Sequence, residues 1–273
     1  MVFADLHMHS TASDGVLSPA QILTRASEAG LGALAITDHD TCVGTKMALD
    51  LAAQFNLIVV PGVEMTTQVE GRNVHMLGYF FDVDSVELAT FFAENRRRRE
   101  QRACAMADNL AADGFPVSSD MVRSSGKTIN RSLLARMLVQ SGCAANIDDA
   151  FRRFIGQHSP YYVECSYPES AEAVHLIRAA GGYAFIAHPA HYRVVDLIEP
   201  LVHEGMTGVE AFHTMQSEPQ SALLVDLAHS LGAGISGGSD WHGDETHGAQ
   251  LGSAGLSEVE FTAFLSACGQ RTS

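Results

Sequence analysis

Residues 2–10, Val-Phe-Ala-Asp-Leu-His-Met-His-Ser, run from a strand pattern straight into Asp5, His7 and His9. In extended backbone, alternate residues share a face, so the two imidazoles of His7-Met8-His9 point to one side and can grip one ion. The same arrangement recurs down the chain. Apolar residues 33–37 lead into Asp38-His39-Asp40, and residues 57–60 into Pro61-Gly62-Val63-Glu64. Residues 74–80 carry His75, and 183–187 lead into His188-Pro189. Residues 208–212 lead to Glu210 and His213, and 234–237 into Ser239-Asp240-Trp241-His242. Amphipathic stretches at 19–29 (after a Ser18 cap), 46–55, 169–180, 194–203 and 218–231 separate several of these runs. Strand-helix alternation predicts parallel βαβ units of an α/β protein. With seven strands and no glycine-rich phosphate loop, the pattern favours a closed or partly closed barrel over a dinucleotide-binding sheet. Each polar cluster then lies at the C-terminal end of a strand, where barrel active sites are built.

Residues 85–164 break the rhythm and read as an inserted helical domain, leaving 1–84 and 165–273 as the barrel. From Arg96 to Arg153 there are eleven Lys or Arg against six Asp or Glu, in a chain whose net charge is −15. So local a reversal of sign indicates an anion-binding surface in an otherwise acidic protein that repels nucleic acid at large. The 273 residues are 46% hydrophobic and 18% charged, enough to bury a core and too ordered a composition for wholesale disorder. The apolar runs are too short to span a membrane, and residues 1–10 lack the pattern of a secretory signal. Five scattered cysteines without a C-x-x-C pair argue against a disulfide framework, and a reducing cytoplasm is expected.

Nine His, Asp and Glu side chains meeting at one barrel mouth would repel one another without cations among them. Mixed imidazole and carboxylate donors suit Mn²⁺ first, with Zn²⁺, Fe²⁺ or Mg²⁺ as alternatives. Nine ligands are too many for one ion, so two to three divalent ions are expected, with Glu64 bridging a pair. The motifs DLHMHS, ITDHD, PGVE, the isolated His75, AHP and GSDWH resemble, in order and spacing, those of the PHP (polymerase and histidinol phosphatase) metallophosphoesterases. That resemblance implies a distorted seven-stranded (β/α)7 barrel and a trinuclear centre. It assigns His7, His9, Glu64 and Asp240 to a first ion, Glu64, His75 and His188 to a second, and Asp14, His39 and His242 to a third. Urease-like amidohydrolases also begin with H-x-H, but commonly bridge their ions with a carbamylated lysine. The two lysines here, Lys46 and Lys127, fall in a helical stretch and in the insertion.

Such a centre generates its nucleophile from water and offsets the charge of a phosphoryl group, without a Ser or Cys nucleophile. His191, His213 or a metal-bound water is the candidate proton donor to the leaving alcohol. Arg193 would hold the reacting phosphate. Arg99, Arg102, Lys127, Arg131 and Arg136 of the insertion supply guanidinium forks and an ammonium for the rest of an anionic substrate. Asp38 and Asp40 are expected to orient ligand imidazoles. The length, the insertion and its RRxxR stretch resemble the PHP branch of 3′,5′-nucleoside bisphosphate phosphatases and 5′→3′ exonucleases of short RNA. The expected activity is removal of the 3′-phosphate from a nucleoside 3′,5′-bisphosphate, with trimming of short RNA. A histidinol-phosphate phosphatase and a non-catalytic PHP module are the alternatives. A small phosphorylated substrate is expected, with neither a membrane nor an obligate protein partner.

Overall fold

The computed structural model describes residues 1–125, 129–243 and 249–270. The chain divides into two compact units, Met1–Phe92 with Pro168–Ser273, and Ala93–Tyr167. In the first, β1 (Ala4–Asp5), β2 (Ala33–Leu34) and β3 (Ile58–Val59) form a parallel sheet. A second sheet runs β4 (Gly62–Val69), β5 (Arg72–Tyr79), β6 (Tyr183–Ile186), β7 (Gly208–His213) and β8 (Gly234–Gly238). The pairs β4–β5 and β5–β6 are antiparallel, and β6–β7–β8 is parallel.

The fold is therefore mixed α/β, but two expectations are corrected. Eight strands in two sheets replace seven, and a closed barrel is not seen among the described residues. The extra strand comes from a hairpin. Glu70 and Gly71 both take positive φ (50° and 77°), the conformation of a tight two-residue turn whose twist matches antiparallel strands. Residues 62–69 therefore pair back along β5 instead of ending strand three, and Glu64 lies within β4. Isolated contacts join the sheets: the Leu6 N–H donates to the Gly237 carbonyl, and His39 bridges to Glu64.

Helices α1 (Pro19–Glu28), α2 (Val43–Leu51) and the first two turns of α3 (Val86–Ala112) belong to this unit. Ser18 caps α1 in a reciprocal box with Gln21, ahead of Pro19. Leu88, Phe91 and Phe92 of α3 sit in the core with Val63, Met76, Ile177 and Val209, so this apolar start of the helix packs with the sheet. The rest of α3, with α4 (Ser119–Ser124), α5 (Arg131–Gln140) and α6 (Ile147–Ala150), builds the second unit around Met106, Leu110, Leu134, Leu138 and Phe154. Helices α7 (Ser170–Ala179), α8 (Pro189–Tyr192), α9 (Ile198–His203), α10 (Glu218–Ser230) and α11 (Glu258–Ala267) complete the first unit. Among the described residues, no helix is long and apolar enough to cross a membrane.

Candidate metal centre

His7 and His9 leave β1 fully buried, their rings 5.3 Å apart. Gly238 makes the approach possible, since a Cβ there would overlap the backbone of His7. The His9 Nε2 lies 3.0 Å from an Asp240 oxygen and 3.3 Å from Glu64 Oε2, and the His7 Nε2 is 3.4 Å from both. Glu64 faces two ways. Its Oε2 meets His7, His9 and His39, while Oε1 is 2.8 Å from His75 Nδ1 and 3.1 Å from His188 Nε2. On the far side of His9, His242 Nε2 and Asp14 Oδ1 are 3.4 Å apart, and the His9 and His242 rings stack at 4.3 Å. Each of the sets His7–His9–Glu64–Asp240, His39–Glu64–His75 and His9–Asp14–His39–His242 offers donor atoms within 4.8 Å of one another. All nine sequence-derived candidates converge here. Relative to the sets the resemblance implies, His39 also approaches Glu64 and His9 also approaches Asp14.

Divalent cations fit this donor set. His7 Nε2, His9 Nε2, His39 Nδ1, His188 Nδ1 and Glu64 Oε2 are buried without a hydrogen-bond partner. Each such atom costs about 1–3 kcal/mol unless something else satisfies it. Bare imidazole nitrogens and carboxylate oxygens are what a first-row ion takes up. Backbone strain gathers at the same place: Asp40, His188 and Asp240 hold positive φ (47°, 32° and 55°), a left-handed backbone that side-chain-bearing residues seldom adopt.

The charges fit as well. Burial alone would strip the proton from His9, yet Asp240 and Glu64 push its pKa up to about 10. Burial likewise opposes charge on Glu64, and the imidazoles of His39, His75 and His7 outweigh it and hold the carboxyl well below its usual range. His188, which burial dominates, falls to about 4. The centre demands positive charge, and protons or metal ions must compete for the same lone pairs.

Among the described residues, Asp38 hydrogen-bonds to no imidazole, contrary to expectation. Its Oδ1 accepts from the Ser10 N–H (2.7 Å) and the Ser13 hydroxyl (2.6 Å), and Ser13 Oγ lies 3.5 Å from His9 Nδ1. It thus shapes the loop that carries His9 and Asp14. Asp40 accepts the Thr66 N–H at 3.1 Å. Asp5 binds Ser239 through its N–H and hydroxyl, fixing β1 against the turn that presents Asp240, and burial pushes its carboxyl up to about 6.

Of the proton-donor candidates, His213 is buried with Nδ1 accepting the Met215 N–H (3.0 Å) and Nε2 3.4 Å from Asp240. His191 is exposed on α8, its ring 6.3 Å from that of His188, and Arg193 follows on the same turn, also exposed. In the helical unit, Arg99 and Arg102 are buried; Arg102 donates to the Val163 carbonyl at 2.9 Å and covers the Tyr162 ring. The Arg131 guanidinium lies over Phe151, and Arg136 is half-buried on α5. Lys127 falls outside the described residues. Glu210, which the sequence places beside His213 at a strand end without a role, is fully buried against His7 and His188.

Comparison with known proteins agrees with this geometry. A PHP domain model matches residues 5–197. A 5′-3′ exoribonuclease of Haemophilus influenzae is 35% identical over 87% of this chain and 89% of its own. A 3′,5′-nucleoside bisphosphate phosphatase of Chromobacterium violaceum is 33% identical over 92% and 91%. A phosphoribosyl 1,2-cyclic phosphate 1,2-diphosphodiesterase of Eggerthella lenta is 30% identical over 88% and 94%. A Bifidobacterium adolescentis structure assigned as a metal-dependent phosphoesterase superposes with a TM-score of 0.87 at 28% identity, covering 97% of this chain and 96% of its own.

Proposed function

Since the chain belongs to the PHP domain family, we propose that it is a metal-dependent phosphoesterase that removes the 3′-phosphate of nucleoside 3′,5′-bisphosphates and trims short RNA. The observation that carries the reading is the ring of buried, partnerless donor atoms around Glu64. We assign it two to three divalent ions, Mn²⁺ first, and place the protein in the cytoplasm. When bound, the ions supply the water nucleophile and neutralise the phosphoryl oxygens. The names of the Haemophilus and Chromobacterium relatives support a nucleotide or short RNA over histidinol phosphate.

The chain's own residues have separable roles in this reading. Asp240 is held by His213, whose ring nitrogens both have partners. His191, exposed three residues after His188, is assigned as the proton donor to the leaving alcohol on its position. His191→Ala is expected to slow release of a nucleoside alcohol by roughly 10²-fold or more, the usual size of a general-acid contribution. An aryl phosphate with a good leaving group should hardly notice the change. Equal slowing of both substrates would remove His191 from the role.

The reacting phosphate is assigned to Arg193, and the second phosphate to Arg131 and Arg136 of the basic helical unit. The test is kcat/KM with Mn²⁺ for adenosine 3′,5′-bisphosphate, 3′-AMP, a short oligoribonucleotide, a ribose 1,2-cyclic phosphate and histidinol phosphate. The bisphosphate should exceed 3′-AMP, and Arg131→Ala should cost it about 1.5–3 kcal/mol, the range of a charged hydrogen bond. If wild type treats the two nucleotides alike, the second phosphate is not read and a monoester becomes the better assignment.

A further inference from the structure

Glu210 enters none of the three ion positions, yet it touches ligands of two of them. Its Oε1 lies 2.9 Å from His7 Nδ1, and its Oε2 accepts the backbone N–H of His188 at 2.8 Å. A bulge in β7 brings it there. Glu210 pairs with Ser236 and Phe212 with Gly237, so Ala211 is the extra residue. In a regular strand, residues 210 and 213 would face opposite ways. The bulge turns both side chains inward, and both are buried. Gln216 pins the distortion: its amide donates to the Glu210 and Ala211 carbonyls (3.2 and 3.1 Å) and accepts the Ala190 N–H (3.1 Å).

Glu210 also groups with His7 and His213 as a possible ion site. The hydrogen bonds argue against one. His213 Nδ1 accepts from Met215, which leaves its hydrogen on Nε2, and His7 Nδ1 faces the carboxylate.

We propose that Glu210 is a positioning residue that sets the ligand geometry of two different ions at once, through the His7 ring and the His188 backbone. The inference rests on the metal-centre reading above. An ionised carboxylate only accepts, so His7 must donate from Nδ1, leaving the bare Nε2 lone pair aimed at the first ion. The other oxygen anchors the strained His188 backbone and so fixes where its imidazole reaches for the second. A glutamine has one acceptor oxygen for these two donors. Either His7 changes tautomer and blocks Nε2 with a hydrogen, or the His188 N–H loses its partner.

The experiment titrates metal-stripped wild type and Glu210→Gln with Mn²⁺ by calorimetry, and records the visible spectrum of each after loading with Co²⁺. Wild type should take up two to three equivalents. Glu210→Gln should bind the tightest ions roughly 10–100-fold more weakly, the usual cost of losing a group that orients a metal ligand, with an altered Co²⁺ spectrum and an unchanged near-ultraviolet dichroism. Affinities and spectrum equal to wild type would overturn the inference. Wild type that binds less than one equivalent would instead overturn the metal centre itself. If Glu210→Gln does not fold, Glu210→Asp is read the same way. Its shorter carboxylate reaches one donor and should weaken one ion, and unchanged binding again refutes the proposal.

Discussion

Asp240→Ala and His9→Ala are each expected to lower turnover by on the order of 10³-fold or more, since the ions generate the nucleophile and their loss cannot be made good by a side chain. The two positions are chosen for geometry. One Asp240 oxygen faces His7 and His9 together at 3.4 and 3.0 Å, so its removal takes a carboxylate donor from the first set. His9 presents Nε2 to that position and Nδ1, 3.8 Å from Asp14, toward the third. His9→Ala removes the Nε2 donor of that position and also the ring that stacks on His242 of the third, and should be the more damaging of the pair. The measurement is steady-state kcat with saturating Mn²⁺, on protein whose fold is checked by circular dichroism. A loss of only tenfold in both variants would mean that the reacting centre lies elsewhere.

How much of this centre the sequence discloses depends on how local each signal is. His7 and His9 are legible because a period of two is a property of extended backbone itself. His39, His188 and Asp240 are legible because each lies within a few residues of the end of a strand pattern. Glu64 is found for a partly mistaken reason. It looks like the end of strand three but is the third residue of β4, whose residues 65–69, Met-Thr-Thr-Gln-Val, carry an overlooked strand pattern before the Glu70-Gly71 turn. That hairpin also undoes the expected seven-strand barrel, because it turns a strand end into an antiparallel pair. Glu210 is visible at a strand end, but its role is harder to find. Its inward aim comes from the bulge at Ala211, and the bulge is held by Gln216, a tertiary contact with no counterpart in spacing. Asp38 shows the converse. Proximity to His39 in sequence suggests a partner for that ring, but the carboxylate serves the Ser10–Ser13 loop instead.

Removing metal should lower the melting temperature by on the order of 10 °C or more, and by an amount that grows with pH. Ions held at 100 to 1,000 times their dissociation constant stabilise the folded chain by about 3–4 kcal/mol per site, and each kcal/mol is worth roughly 2–4 °C in a chain of this size. The pH dependence follows from the imidazoles. In the metal-free protein the pKa of His9 is raised to about 10 against about 6.5 unfolded, so its stabilisation is full below 6.5 and is lost as pH rises through 10. His7 is raised as well, as Glu210, Asp240 and Glu64 outweigh its burial, and acts in the same direction. Metal needs those nitrogens bare, so loading the centre at neutral pH must expel protons and becomes easier as pH rises. The two forms should therefore diverge: between pH 6.5 and 9 the chelated protein loses stability while the Mn²⁺-loaded protein keeps it. Thermal melts with and without chelator at several pH values test the divergence, and calorimetry in buffers of different ionisation enthalpy counts the protons released. A constant gap between the forms, with no proton release, would mean that His7 and His9 do not share their lone pairs between proton and metal.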